Sequence, residues 1–252
     1  IGIIGAADGP TSIFVANVLK SNYTAAIIVA AYSYMALVPI VQPFCIRLIT
    51  TKKERMIRME YTPGKITKTT RILFPIVVTV IAGIVSPQSV ALVGFLMFGN
   101  LIRECGVLGS LSETAQKDLA NLITLVLGLS VSFRMKAEMF VTLETLVILA
   151  LGLVAFIFDT VGGVMFAKVL NLFSKNKINP MVGAAGISAF PMSARVIEKL
   201  GQEADSQNHL REEDQGNFLL MHAAGANVSG QIASVIAGGL VITLIENVIA
   251  GM

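Results

Sequence analysis

"TAAIIVAAYSYMALVPIVQPFCI", Thr24–Ile46, holds no Asp, Glu, Lys or Arg. Crossing the hydrocarbon of a bilayer takes about 20 apolar residues in a helix, so this stretch reads as a complete membrane span. Its two prolines, Pro39 and Pro43, predict a kink. A second uncharged run covers Ile72–Ile102; Ser86-Pro87 and Gly99-Asn100 interrupt it, which leaves open one long tilted span or two short ones. Met139–Ala167 is another long apolar run, and Gln215–Ile245 carries only His222 as a titratable group. Over the whole chain 54% of residues are hydrophobic and 14% charged, where a soluble domain has about a quarter charged. The fold expected is an all-α polytopic membrane protein. The alternating segments of about 10 residues that build a membrane β-barrel are not seen.

The segments between those spans are as informative as the spans. Residues 50–71, "TTKKERMIRMEYTPGKITKTTR", carry seven basic against two acidic residues and predict a cytoplasmic loop by the positive-inside rule. Beside a span, that basic run is not read as a nucleic-acid patch. Residues 196–216 predict a polar loop. Cys45 and Cys105 lie in or beside apolar runs and read as reduced core thiols, with no disulfide or zinc spacing. No Walker motif, dinucleotide fingerprint or Ser-His-Asp order is present.

Ordinary spans alternate with short, glycine-broken ones. Paired interrupted segments of this kind point to the substrate site of a transporter. The first is "GAADGPTSIF", Gly5–Phe14. A bare carboxylate at mid-bilayer costs at least about 2.5 kcal/mol, so Asp8 needs a partner, a proton or a cation. Gly9-Pro10 frees backbone carbonyls, and Thr11 and Ser12 add hydroxyls. Carboxylate, hydroxyl and carbonyl oxygens suit a hard cation, and one negative charge suits Na⁺ or H⁺ better than Ca²⁺. Asp8 also reads as the N-cap of a helix with Pro10 in its first turn, a compatible role.

The second broken segment is "NPMVGAAGISAFPMSAR", Asn179–Arg195. It offers Asn179 and Ser188 as neutral oxygens, Gly183 and Gly186 for close backbone approach, and Arg195 either as a cation for an anionic group or as an interfacial snorkel. Its "MVGAAGISAFPM" echoes "IIGAADGPTSIF", as a structural repeat or as chance likeness of small residues. A third glycine-rich turn, His222–Gln231, places Asn227 and Ser229 as candidate cavity-lining groups beside His222. Tyr32 and Tyr34, inside a charge-free span, are either satisfied locally or serve as a proton donor or relay at the Asp8 cavity. Glu144 reads as interfacial and Asp159 as intramembrane.

"GIIGAADGPTSI", "AAYSYMALVPIVQP", "TTKKERMIRM", "FGNLIRECGV", "LGLSV", "SKNKINPMVGAAGISAFPMSARV" and "NFLLMHAAGANVSGQIAS" occur in that order. Together they resemble the β subunit of the sodium-pumping, biotin-dependent decarboxylases that act on oxaloacetate, methylmalonyl-CoA or glutaconyl-CoA. The resemblance runs over essentially all of the chain, which looks like the C-terminal part of such a subunit, a single transmembrane domain over 1–252. It implies inverted repeats with broken or re-entrant helices, and decarboxylation of carboxybiotin coupled to Na⁺ export with consumption of a proton. It implies Asp8 in Na⁺ binding and coupling, with Asn179, Gly183 and Ser188 alongside, and catalytic roles for Tyr34 and Arg195. It also implies partners: a carboxyltransferase α subunit, a biotin carrier domain or subunit, and a small γ/δ membrane subunit, in an oligomeric complex in a bacterial or archaeal cytoplasmic membrane. Biotin would be carried by the partner, and no nucleic acid is involved. The acidic His209–Gly216 stretch and Asp159 depart from the family pattern, and Asp159 receives no role. A secondary Na⁺-coupled carboxylate transporter without decarboxylase activity is the rival expectation.

Overall fold

The computed structural model describes residues 2–59, 64, 66–134, 142–187, 189, 191–206 and 219–250. Among them every regular element is helical. Four helices are long and apolar enough to cross a membrane, beginning at Thr24, Lys68, Leu143 and Leu219.

The chain begins with a helical turn, α1 (Gly2–Gly5), which ends in a break at Ala6-Ala7 before α2 (Gly9–Val18). Helix α3 (Thr24–Ile49) follows and contains both Pro39 and Pro43. It ends against α4 (Lys52–Arg55), a single turn closed by a capping box between Thr51 and Glu54. The Arg55 guanidinium reaches back to the Thr50 carbonyl at 2.6 Å, supplying a donor where α3's last carbonyls lack partners.

The uncharged run from Ile72 resolves into a helical hairpin. Helix α5 (Lys68–Val85) stops at Ser86, a 3₁₀ turn spans Pro87–Ser89, and α6 (Val90–Cys105) returns. Pro87 carries no N–H and so ends α5, whereas the helix runs unbroken through Gly99-Asn100, because neither residue removes a ladder bond. Arg71 and Glu104 pair at 3.7 Å across the open end of the hairpin. Helix α7 (Gly109–Thr114) passes through a π-helical stretch into α8 (Ala120–Arg134).

Helix α9 (Leu143–Phe173) is the central element. It is capped by the Thr142 hydroxyl, and near its other end Lys168 pairs with Glu54 at 2.9 Å. The chain then folds back through a 3₁₀ segment, Pro180–Gly186, breaks, and returns as α10 (Met192–Ser206). The stretch from 196 on, expected as a polar loop, therefore starts inside α10, which it follows to Ser206. Its apolar residues Ile197 and Leu200 recur on one face and are buried, which is the amphipathic pattern that fixes a helix to a core. Residues 207–218, including all of the acidic His209–Gly216 stretch, lie outside the described residues. Helix α11 (Leu219–Ala250) closes the fold.

Of three buried clusters among the described residues, one packs Ala82, Val93 and Met97 of the hairpin on Val235 of α11, and two hold the pieces around the breaks. One joins Ile46 of α3 and Val164 of α9 to Met181, Ala184, Ala185 and the inner face of α10. The other joins Ile4 and Ala7, at the first break, to Ile187 and Ala189, at the second, around Tyr34, Val38 and Phe156. The two interruptions of the chain thus share one core. Backbones meet closely there: a Cβ on Gly163 of α9 would lie 2.2 Å from the Gly183 carbonyl oxygen, and one on Gly230 of α11 only 1.8 Å from that of Gly186. Outside, Ile40 (69% exposed), Phe44 and Leu48 form a bare apolar stripe along α3, spaced one helical turn apart. Surfaces of that size face lipid or further protein.

Candidate functional site

The first break builds the acidic end of the site. Ala7 sits in the left-handed region at φ 53°, a conformation that costs a non-glycine residue about 1 kcal/mol and that clusters at functional sites. That turn brings Asp8, 6% exposed, to the N-terminus of α2. Its Oδ1 accepts from the Thr11 N–H at 3.0 Å and its Oδ2 from the Thr11 hydroxyl at 2.8 Å. The electropositive end of α2 favours negative charge at this point. Ser12, one turn on, is 3% exposed and its buried hydroxyl has no hydrogen-bond partner.

A cavity of about 320 Å³ opens beside Asp8. Ala7, Gly9 and Pro10 form one wall; Tyr32 and Met35 of α3, Leu92 and Leu96 of α6, and Gln231 and Val235 of α11 form the others. Gly9 permits a close approach: a Cβ there would lie 2.7 Å from the Tyr32 ring. Gly238 of α11 allows a similar close approach, since its Cβ would lie 2.5 Å from the Thr11 methyl.

The second break builds the neutral end. Its backbone carbonyls, released where the 3₁₀ segment ends, are met by side chains rather than by helix. Gln42 Nε2 of α3 donates to the Ala184 carbonyl at 2.7 Å and to the Ser193 hydroxyl at 2.8 Å. Asn227 Nδ2 of α11 donates to the Ala185 carbonyl at 3.0 Å and to that of Ile187. This leaves Asn227 Oδ1 buried without a hydrogen-bond partner. Helix α11 therefore carries Asn227 at the second break and, one turn later, Gln231 at the Asp8 cavity.

The residues singled out from sequence fall into three groups. Asp8, Thr11, Ser12 and Tyr32 come together at the first break. Gly183 is pressed against α9, and Asn227 braces the second break. The others stand apart. Tyr34 is buried against Phe156, with ring centroids 6.4 Å apart, and donates its hydroxyl to the Leu149 carbonyl of α9. A Cβ on Gly152 would lie 2.7 Å from its ring. Asn179 caps the 3₁₀ segment through Met181 N–H, and its Nδ2 donates to the Arg55 and Ile57 carbonyls at 3.0 and 2.9 Å. Its amide thus ties the basic loop to the re-entrant segment. Arg195 is exposed on α10, and Ser229 donates to the Gly225 carbonyl within its own helix. Ser188 lies outside the described residues. Gln42, Ser193 and Gln231 were not foreseen; a glutamine between two prolines in a charge-free span was the signal for the first.

The start of the basic loop, Thr51–Arg55, is paired to α9 through Glu54 and Lys168. Burial alone would raise the Glu54 carboxyl, but the Thr51 N–H and hydroxyl and the Lys168 ammonium outweigh it and hold the group below the usual carboxylate range.

Residues 1–245 match the family described as the Na⁺-transporting oxaloacetate decarboxylase beta subunit. The chain belongs to this family. It is 49% identical over 249 residues to the oxaloacetate decarboxylase beta chain of Haemophilus ducreyi, a match covering 99% of this chain and 55% of that one. It is 49% identical over 244 residues to the methylmalonyl-CoA decarboxylase subunit beta of Propionigenium modestum, covering 97% and 59%. It is 46% identical over 245 residues to the glutaconyl-CoA decarboxylase subunit beta of Acidaminococcus fermentans, covering 97% and 63%. The chain spans a little over half the length of these relatives. Its likeness to β subunits named for three substrates is nearly equal, so it does not rank those substrates for this member of the family.

Proposed function

We propose that this chain is the ion-conducting portion of a membrane subunit that decarboxylates carboxybiotin and uses the free energy to export Na⁺, with a proton consumed in each cycle. The observation that carries the reading is the pairing of two chain breaks in one core: a buried carboxylate stands at one, and two buried oxygens without hydrogen-bond partners, Ser12 Oγ and Asn227 Oδ1, stand one at each. Carboxylate, hydroxyl and amide oxygens are the donor set of a hard monovalent cation, and Na⁺ is the cargo in the family's name.

Within this reading Asp8 supplies the charge, Thr11 orients it, and Ser12 and Asn227 supply neutral ligands. The cavity beside Asp8 is lined mainly by apolar residues, with Asp8, Tyr32 and Gln231 as its polar members, a size and character suited to a small ring system. Loss of CO₂ from carboxybiotin leaves a ureido nitrogen that takes up a proton. Tyr32 lines the same cavity as Asp8 and is assigned as the donor; Tyr34 anchors α3 to α9 behind it. Arg195, exposed on the re-entrant arm, meets the substrate carboxylate on its way in. The partners are a carboxyltransferase α subunit, a biotin carrier and a small γ/δ membrane subunit. The membrane is the bacterial or archaeal cytoplasmic membrane, with residues 50–71 inside.

The test is purification of the full-length subunit with its complex on avidin, followed by decarboxylation assays with oxaloacetate, methylmalonyl-CoA and glutaconyl-CoA at varied Na⁺. The expected result is a co-purifying biotinylated subunit and Na⁺-dependent turnover of one of the three. Na⁺-driven carboxylate uptake by a subunit with no biotinylated partner would overturn it.

A further inference from the structure

Gln42 is fully buried in the middle of α3 and flanked by Pro39 and Pro43. Each proline removes one helix hydrogen bond, so the Met35 and Pro39 carbonyls lack their usual donors. The helix is therefore weakest between Met35, which lines the Asp8 cavity, and Gln42. A buried amide left unpaired is costly, and Gln42 is paired at both its nitrogen and its oxygen. Its Nε2 donates to the Ala184 carbonyl and the Ser193 hydroxyl, and that hydroxyl lies 3.0 Å from Gln42 Oε1 as donor. Swapping the amide's oxygen and nitrogen would set oxygen against the Ala184 carbonyl, so the network fixes its orientation.

The two partners stand on opposite sides of the second break: Ala184 before it, Ser193 after it. One side chain thus pins both arms of the re-entrant segment to α3. Between those anchors, the Ala185 and Ile187 carbonyls take both donor directions of Asn227, and only Oδ1 of that amide is left to face an ion. There is no slack behind it, because Gly230 of α11 abuts the Gly186 carbonyl. A shift of the break moves the Asn227 amide with it.

We infer that Gln42, with Ser193, is a positioning residue for the ion site: it holds the second break in the shape that keeps Asn227 Oδ1 available as a ligand. Gln42 touches no ion itself and acts through Asn227. This rests on the reading of Asn227 as a Na⁺ ligand in a Na⁺-coupled decarboxylase.

The experiment measures turnover against Na⁺ concentration in the full-length subunit within its complex, for wild type, Gln42→Leu, Ser193→Ala, Asn227→Ala and the Gln42→Leu/Asn227→Ala double variant. Gln42→Leu is expected to raise the half-saturating Na⁺ concentration about tenfold, the loss that a misplaced buried hydrogen bond brings, and to lower saturated turnover far less. Ser193→Ala shifts it in the same direction by a smaller factor. Since Gln42 acts through Asn227, adding Gln42→Leu to Asn227→Ala raises the half-saturating concentration little further. Wild-type half-saturation in Gln42→Leu, or full additivity in the double variant, overturns the inference. Should Gln42→Leu not assemble, Ser193→Ala decides alone: an unshifted half-saturation overturns the inference. A wild-type complex with no Na⁺ dependence would instead overturn the function on which it rests.

Discussion

Gly163→Ala tests whether the re-entrant segment is seated against α9 as described. The added Cβ would lie 2.2 Å from the Gly183 carbonyl oxygen and 2.8 Å from its carbon, where ordinary contact begins at 3.4 Å. The neighbour is backbone and cannot rotate away, so α9 and the 3₁₀ segment must separate by about 1.2 Å. Inserting a carbon into a packed core costs about 1–3 kcal/mol, and rigid backbone on both sides puts this case at the upper end. About 3 kcal/mol is about a hundredfold in the folded-to-unfolded ratio. Gly162, the next residue on the same helix, has nothing within 4 Å of an added Cβ. Gly162→Ala is therefore the control, and helix propensity alone makes it stabilising by up to about 1 kcal/mol. Thermal melting in detergent, read by loss of the monodisperse peak, compares the two. The expected order is Gly162→Ala at or above wild type and Gly163→Ala well below. Equal melting of the two alanine variants would refute the seating of the Pro180–Gly186 segment on α9.

Tyr32→Phe is expected to lower decarboxylation at saturating Na⁺ by about a hundredfold or more, the range of a lost general acid, whereas Tyr34→Phe costs about 1 kcal/mol of stability and much less turnover; the reverse order would return the donor role to Tyr34. Glu54 is held below its unfolded value, so its contribution to stability is present above about pH 4.3 and is lost as pH falls from there through its folded value. Melting at about pH 6 and about pH 3.5 should therefore show a smaller drop for Glu54→Gln than for wild type, and equal drops would remove the Thr51–Glu54–Lys168 arrangement as its source.

The membrane class was legible in the uncharged runs, because hydrocarbon leaves few alternatives to an apolar helix. Both breaks were legible too, since Pro10 at the first and Pro180 and Pro191 around the second each remove a helix hydrogen bond. Which of the two tyrosines lines the Asp8 cavity was not legible in the sequence. Tyr32 and Tyr34 are two apart on one helix, about 200° around its axis, so they cannot both face Asp8. The roles of Gln42 and Asn179 depend on backbone carbonyls far away in the sequence, at Ala184 for one and at Arg55 and Ile57 for the other. A polar side chain in a greasy run announces that it needs a partner, but only the tertiary fold names it.

Asp8→Asn separates charge from capping, because asparagine serves as an N-cap as well as aspartate does. The most direct measurement is radiosodium uptake into inside-out vesicles carrying the reconstituted full-length complex, with decarboxylation followed in the same samples. The expected result is a properly assembled Asp8→Asn complex that moves no Na⁺ and has lost Na⁺ dependence. Wild-type coupled uptake by Asp8→Asn would contradict the placing of the ion at the first break.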